Sequence, residues 1–276
     1  MNHNSCEAPK GPMRLLHRQP LRCALGAALL AAGLPALAMQ PLITDDTGTQ
    51  GAGAQQIELG GMHARQAAGP ERSRADGLGA TYTVGAIDTL DLYAGQGYAR
   101  NRDDAMRTSG WGGANLGLKW RFYENDATGT SLGLKPEWLT PVGREREARG
   151  LGPGRGAHML TLLASQQLPF GALHANYAWG RERGSDPATD LRHQRLSAAL
   201  VWDVAERWKL AVDAGLLRHT PRDGERQRSR YAELGLVYSV HPQWDVAAGV
   251  IRSRDARPAV ERTTATTTTV GLTGRF

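Results

Sequence analysis

The chain closes on Thr266-Thr-Thr-Thr-Val-Gly-Leu-Thr-Gly-Arg-Phe276, and this stretch decides the fold. Successive side chains of a strand point to opposite faces. Val270, Leu272 and Phe276 therefore share one face, while Thr269, Gly271, Thr273 and Arg275 share the other. A barrel closed in lipid turns the apolar face outward, the polar face inward, and pairs every backbone group. The alternative is a soluble edge strand.

The stretch resembles the terminal strand that bacterial outer-membrane barrels present to their assembly machinery. That resemblance assigns Phe276 as an assembly signal and the machinery as a partner.

Working back from the end, the same period recurs. Leu234, Leu236, Tyr238 and Val240 alternate with Glu233, Gly235, Val237 and Ser239; Trp244, Val246, Ala248 and Val250 alternate with Asp245, Ala247 and Gly249. Similar runs cover 78–84, 90–98, 114–122, 173–179 and 210–216, with weaker ones at 57–59, 132–138, 160–168 and 196–202. The pattern predicts about twelve strands. Short connections at 86–89, 123–128, 169–171, 204–207 and 241–243 alternate with long, charged ones at 100–110, 143–157, 181–190, 218–228 and 252–262. Tight turns at one end and long loops at the other, with aromatics such as Trp120, Trp179, Trp202 and Trp244 near strand ends, fit a membrane barrel. A soluble sandwich does not explain the alternating loop lengths. The expected fold is an all-β, transmembrane, antiparallel up-and-down barrel over 55–276, with short periplasmic turns and long extracellular loops.

The other end of the chain reads as an export signal. Arg14, Arg18 and Arg22 precede the apolar run 24–34, and Ala36-Leu-Ala38 is a small-x-small cleavage site. The run is shorter than the ~20 residues a spanning helix needs. Residues 1–38 are read as a signal peptide, with Met13 as a candidate start. Cleavage removes Cys6 and Cys23, the chain's two cysteines, and with them any thiol-based metal site. The formal charge of +6 also falls, because the leader holds four of the 33 Lys+Arg and one of the 27 Asp+Glu. The remaining surplus is dispersed arginine. It forms no basic run of the kind nucleic-acid binding requires, and the outer-loop arginines are expected to meet lipopolysaccharide phosphates.

Residues 39–54 form a Gly-rich head on the periplasmic side. Pro41, Leu42, Thr44, Asp45, Asp46, Gly48, Thr49, Gly51, Gly53, Gln56 and Glu58 match the opening of the outer-membrane family named for the MetA pathway of phenol degradation. Leu132-Gly-Leu-Lys-Pro-Glu-Trp-Leu-Thr-Pro141 is also similar to it, and Ala54 stands where the family commonly has Asn. The resemblance implies a barrel porin or transporter and supplies no settled site residues. Asp45 and Asp46 have two readings: a peptide tucked into the barrel mouth, or a sharp lead-in turn that glycine and aspartate favour. The turn is the preferred expectation.

The polar faces gather Asp91, Asn115, Lys119, Arg121, Lys135, Glu137, His174, Asn176, Lys209, Asp213, Glu233, Asp245 and Arg275. From these, Lys119, Arg121, Lys135, Glu137, His174, Asn176 and Arg275 are the candidate pore-lining and substrate-contacting residues. The four cations among them suit an anionic or phenolic-acid solute, while a salt-bridge network in the wall is the competing account. An outward-facing lipid hydrolase would need a His-x-Ser pair, with the Ser two residues after the His on one strand face. No histidine after residue 38 has one, and Asp103-Asp104 reads as solvated loop. No catalytic residue, metal or cofactor is expected. The expected role is uptake of small, aromatic or anionic solutes across the outer membrane of a Gram-negative bacterium. The alternatives are a non-conducting structural or surface-interaction barrel and a lipid-modifying enzyme.

Overall fold

The computed structural model describes residues 41–69, 71–103, 106–223, 225–257 and 260–276. The expected leader, with Met13, Cys6 and Cys23, lies outside the described residues, as does Asp104.

Thirteen strands close into one antiparallel sheet. In chain order they are β1 Gln55–Ala68, β2 Glu71–Ile87, β3 Leu90–Arg102, β4 Arg107–Trp111, β5 Asn115–Asn125, β6 Thr130–Leu139, β7 Ala157–Leu168, β8 Gly171–Glu182, β9 Leu191–Ala205, β10 Trp208–Pro221, β11 Gln227–His241, β12 Trp244–Arg257 and β13 Val260–Arg275. β4 pairs the outer part of β3 and β5 pairs its inner part, so the two form one stave interrupted at residues 112–114. The wall is a twelve-stave barrel. It closes where β1 pairs β13, Gln56 opposite Arg275 through Ala68 opposite Thr263. The seam is finished by Phe276 N–H donating to Gln55 O at 2.9 Å and Gln55 N–H to Phe276 O at 3.0 Å. Closure removes the sheet edge that an open strand would leave unpaired.

Polarity is inverted relative to a soluble protein. Asp91, Asp213 and Asn176 are about 1% exposed or less, whereas Leu78, Leu216 and Val270 are 66%, 62% and 57% exposed. Only an apolar solvent outside makes that arrangement favourable. Aromatic pairs mark the inner rim: Trp208 with Tyr238 at 4.4 Å between centroids, and Trp244 with Phe276 at 5.7 Å. Tyr98 with Trp111, 5.4 Å apart, stands toward the outer rim.

Three of the expected long loops prove to be mostly wall. β3 runs to Arg102 and β4 resumes at Arg107; β10 runs to Pro221 and β11 resumes at Gln227; β12 reaches Arg257 and β13 begins at Val260. Beyond the lipid the outward face no longer needs apolar side chains, so the apolar–polar alternation that signals a strand disappears while the ladder continues. The segments at 143–157 and 181–190 are true loops, carrying the short helix α1 (Gly143–Ala148) and a 3-10 turn over Pro187–Thr189. They are tied together by Ser185 N–H donating to Glu147 Oε2 at 2.9 Å and by Asp190 paired to Arg181 at 3.0 Å and Arg155 at 3.2 Å.

Candidate functional site

The head is a lead-in turn only at its base. Only 48–54 stay at the short-turn end, where Gly53 N–H donates to Gly85 O at 2.8 Å and Gly85 N–H to Ala54 O at 2.9 Å. Gly85 leaves no room for a side chain there, because a Cβ would collide with the Gly51 carbonyl. Residues 41–47 turn into the barrel and cross its lumen. The preferred reading of a turn holds at 51–54, where Ala54 N–H closes on Gly51 O at 3.2 Å and Gly51 and Gly53 take positive φ; it is corrected for 41–47, whose backbone finds its partners on the inner wall.

Two anchors hold it. On one side Asp213 of β10 takes donors from Ile43 N at 3.0 Å, Thr44 N at 2.7 Å, Thr44 Oγ1 at 2.8 Å and Tyr231 OH at 3.0 Å. On the other, Asp45 Oδ1 meets Lys119 Nζ at 3.0 Å and Oδ2 meets Lys135 Nζ at 2.9 Å. Lys119 also reaches Asp46 at 3.3 Å, and Lys135 reaches Glu137 at 3.8 Å. The Asn176 amide, oriented to match its surroundings, brackets the Asp45 backbone: its Nδ2 lies 2.9 Å from Asp45 O and its Oδ1 2.7 Å from Asp45 N. Burial pushes the Asp45 carboxyl up, but the lysines at Lys119 and Lys135 outweigh it and hold the group at about 2.

Smaller contacts complete the fit. Thr47 N–H donates to Ser165 Oγ at 3.1 Å, and Gln50 N–H to Asp91 at 3.0 Å. Leu42 enters a small apolar patch made by Ala199, Val201 and Ala211. Pro41 lies against Gly235 and Gly249, where a Cβ would stand 2.6 Å from Pro41 Cγ and 2.9 Å from Pro41 Cβ respectively.

Of the candidate residues, the fold gathers Lys119, Lys135, Glu137, His174 and Asn176 around the head. It leaves Arg121 beside Glu124 at 3.2 Å and Arg275 beside Asp245 at 2.7 Å, both close to the short turns. Asp213, Tyr231, Ser165 and Ser131 share the work of holding the head but are absent from that set. Asp213 carried a signal, since it stands on the polar face of a clear strand; the hydroxyls carried none.

β7 and β8 place Ser165 opposite His174, with Oγ 2.9 Å from Nδ1. This pair across strands was invisible to a search within one strand. It faces the lumen beneath Thr47, not the lipid, so it does not meet the requirement for an outward-facing lipid hydrolase. Among the described residues no group of three or more His, Cys, Asp or Glu is arranged to hold a metal.

A cavity of about 400 Å³ remains below the head. Its walls include Glu58, Asp91, Tyr93, Lys119 and Lys135 toward the middle and Lys209, Asp245 and Arg275 toward the short-turn mouth. Lys135 Nζ stands 5.1 Å from the Tyr93 ring centroid, a cation–π contact inside the cavity.

The sequence profile described as "Putative MetA-pathway of phenol degradation" matches residues 38–266, which takes in both the head and nearly all the wall. The chain belongs to this family. Among solved structures it is similar to the COG4313 outer membrane channel from Pseudomonas putida F1, with 15% identity and a TM-score of 0.64 over 84% of this chain and 98% of that one. It is also similar to the NanC porin, with 7% identity and a TM-score of 0.54 over 78% of this chain and 98% of that one. At such identities the likeness establishes a shared outer-membrane barrel fold. No curated protein sequence matches the chain.

Proposed function

We propose that this family member is an outer-membrane channel for small, anionic or aromatic solutes, and that residues 41–47 set the constriction of its pore. The observation that carries the reading is the charged cavity of about 400 Å³ that reaches from the short-turn mouth to Lys119 and Lys135 under the head. A barrel serving only as structure would gain nothing from a cavity lined by charged and polar groups and opening at a mouth where Lys209 and Arg275 stand exposed. Lys209 and Arg275 at the mouth offer charge to a carboxylate as it enters, and Tyr93 lines the deeper part with an aromatic side chain, while Lys119 and Lys135 are held by Asp45. The two structural neighbours, a channel and a porin, agree with transport by this fold. On this reading the protein is not an enzyme and sits in the outer membrane after export. Liposome swelling tests it: vesicles carrying the barrel should admit benzoate-sized carboxylates faster than neutral sugars of equal size. Failure to admit any small solute would refute the channel.

A further inference from the structure

The arginines expected in loops stand instead on the outer wall, and on three neighbouring strands they form one patch. Arg218 of β10, Arg228 and Arg230 of β11, and Arg252 and Arg254 of β12 are all exposed. The residues between them, His219, Gln227, Ser229 and Ser253, are buried on the inner face, so the five side chains point outward together. Register brings like charges face to face: Arg218 opposite Arg228, and Arg230 opposite Arg254. Directly opposed like charges destabilise a sheet. Among the described residues, the arginines that form ion pairs, Arg121, Arg155, Arg181 and Arg275, lie elsewhere.

The patch begins where the apolar wall ends. Arg218 follows Leu216 on the same face, and Arg252 follows Val250, each step rising only ~6.6–6.8 Å along the strand. Below it Val212, Leu234 and Val250 stand side by side, with exposures of 50%, 56% and 50%. A ligand that fits must offer acyl chains to the lower part and several anionic oxygens to the upper part. Guanidinium groups suit phosphate, which they grip through paired N–H donors.

We propose that the outer face of β10–β12 is a binding surface for a phosphorylated, multiply acylated glycolipid of the outer leaflet, whose phosphates neutralise the opposed arginines. The surface lies on the outside of the barrel, so its test is independent of conduction through the lumen.

The test titrates the detergent-purified barrel with bis-phosphorylated lipid A, using native mass spectrometry. Dephosphorylated lipid A, phosphatidylglycerol and inorganic phosphate serve as comparisons. Changing all five arginines to Gln should weaken binding of the bis-phosphorylated form by at least about tenfold and leave the dephosphorylated form unaffected. The milder R230Q/R254Q pair, which should fold even if the fivefold variant does not, should show a smaller loss in the same direction. Heat-modified gel mobility checks folding in each case. Equal binding of the two lipid A forms, or unchanged affinity in R230Q/R254Q, would overturn the proposal. Equal competition by phosphatidylglycerol would reduce the surface to one for any anionic lipid, and competition by inorganic phosphate would make it a free-anion site; either outcome also overturns it.

Discussion

Replacing Asp45 with Asn should undock the head. The substitution keeps the size of the side chain and removes the charge that Lys119 and Lys135 grip at 3.0 and 2.9 Å. Breaking a buried ion pair by removing one partner costs about 3–5 kcal/mol. The low end, about 3 kcal/mol, applies here, because Lys119 keeps Asp46 at 3.3 Å and Lys135 keeps Glu137 at 3.8 Å. A loss of that size lowers the docked-to-undocked ratio on the order of a hundredfold. Hydrogen exchange reads it directly. The amides of Thr44, Thr47 and Gln50 each donate to a wall side chain, so their exchange should quicken by about that factor while amides of the strands stay protected. If D45N exchanges through the head as slowly as the wild type, the ion-pair clamp is not what holds it. The reasoning would then pass to Asp213 as the dominant anchor.

Three further outcomes follow from the same geometry. Because the docked Asp45 carboxyl lies at about 2, below its ordinary 3.8, its contribution is complete above roughly pH 4. That contribution fades as pH falls from there through the docked value, so the head's protection, taken relative to each amide's intrinsic exchange rate, should be flat from pH 7 to 4 and fall progressively toward pH 2. Gly235→Val should displace Pro41, since the added atoms have no space, and should quicken exchange over 41–44 without unfolding the wall. Deleting Phe276 removes two seam hydrogen bonds and the ring contact with Trp244, a loss of about 2–4 kcal/mol. The yield of heat-modifiable barrel in cell envelopes should drop sharply, and an undiminished yield would show that the seam closes without that residue.

The staves were legible because lipid enforces alternation. β11 and β12 could be read from Leu234, Leu236, Val246 and Val250 alone. The same physics explains what was missed. In the outer parts of β1 and β13, His63–Ala68 and 263–266, neither face meets lipid, so nothing in the sequence alternates. The stave break after Trp111 lies in a glycine pair that reads equally well as a turn. The head was hardest, because its partners are remote in the chain: Thr44 binds Asp213 across 169 positions and Asp45 binds Lys119 across 74. Charge offered a partial clue, since two adjacent aspartates in the head faced inward lysines that alternation had already picked out. Local turn propensity outweighed it: Gly51 and Gly53 do form a turn, closed by Ala54 N–H on Gly51 O at 3.2 Å, but that turn is only the base of a head whose residues 41–47 enter the lumen.

Single-channel recording from residues 39–276 refolded in a planar bilayer tests the central claim most directly. A head-constricted channel predicts discrete, small conductance steps in the wild type and larger steps in D45N. A barrel that is folded by heat-modified mobility, yet silent both as wild type and as D45N, would contradict the account.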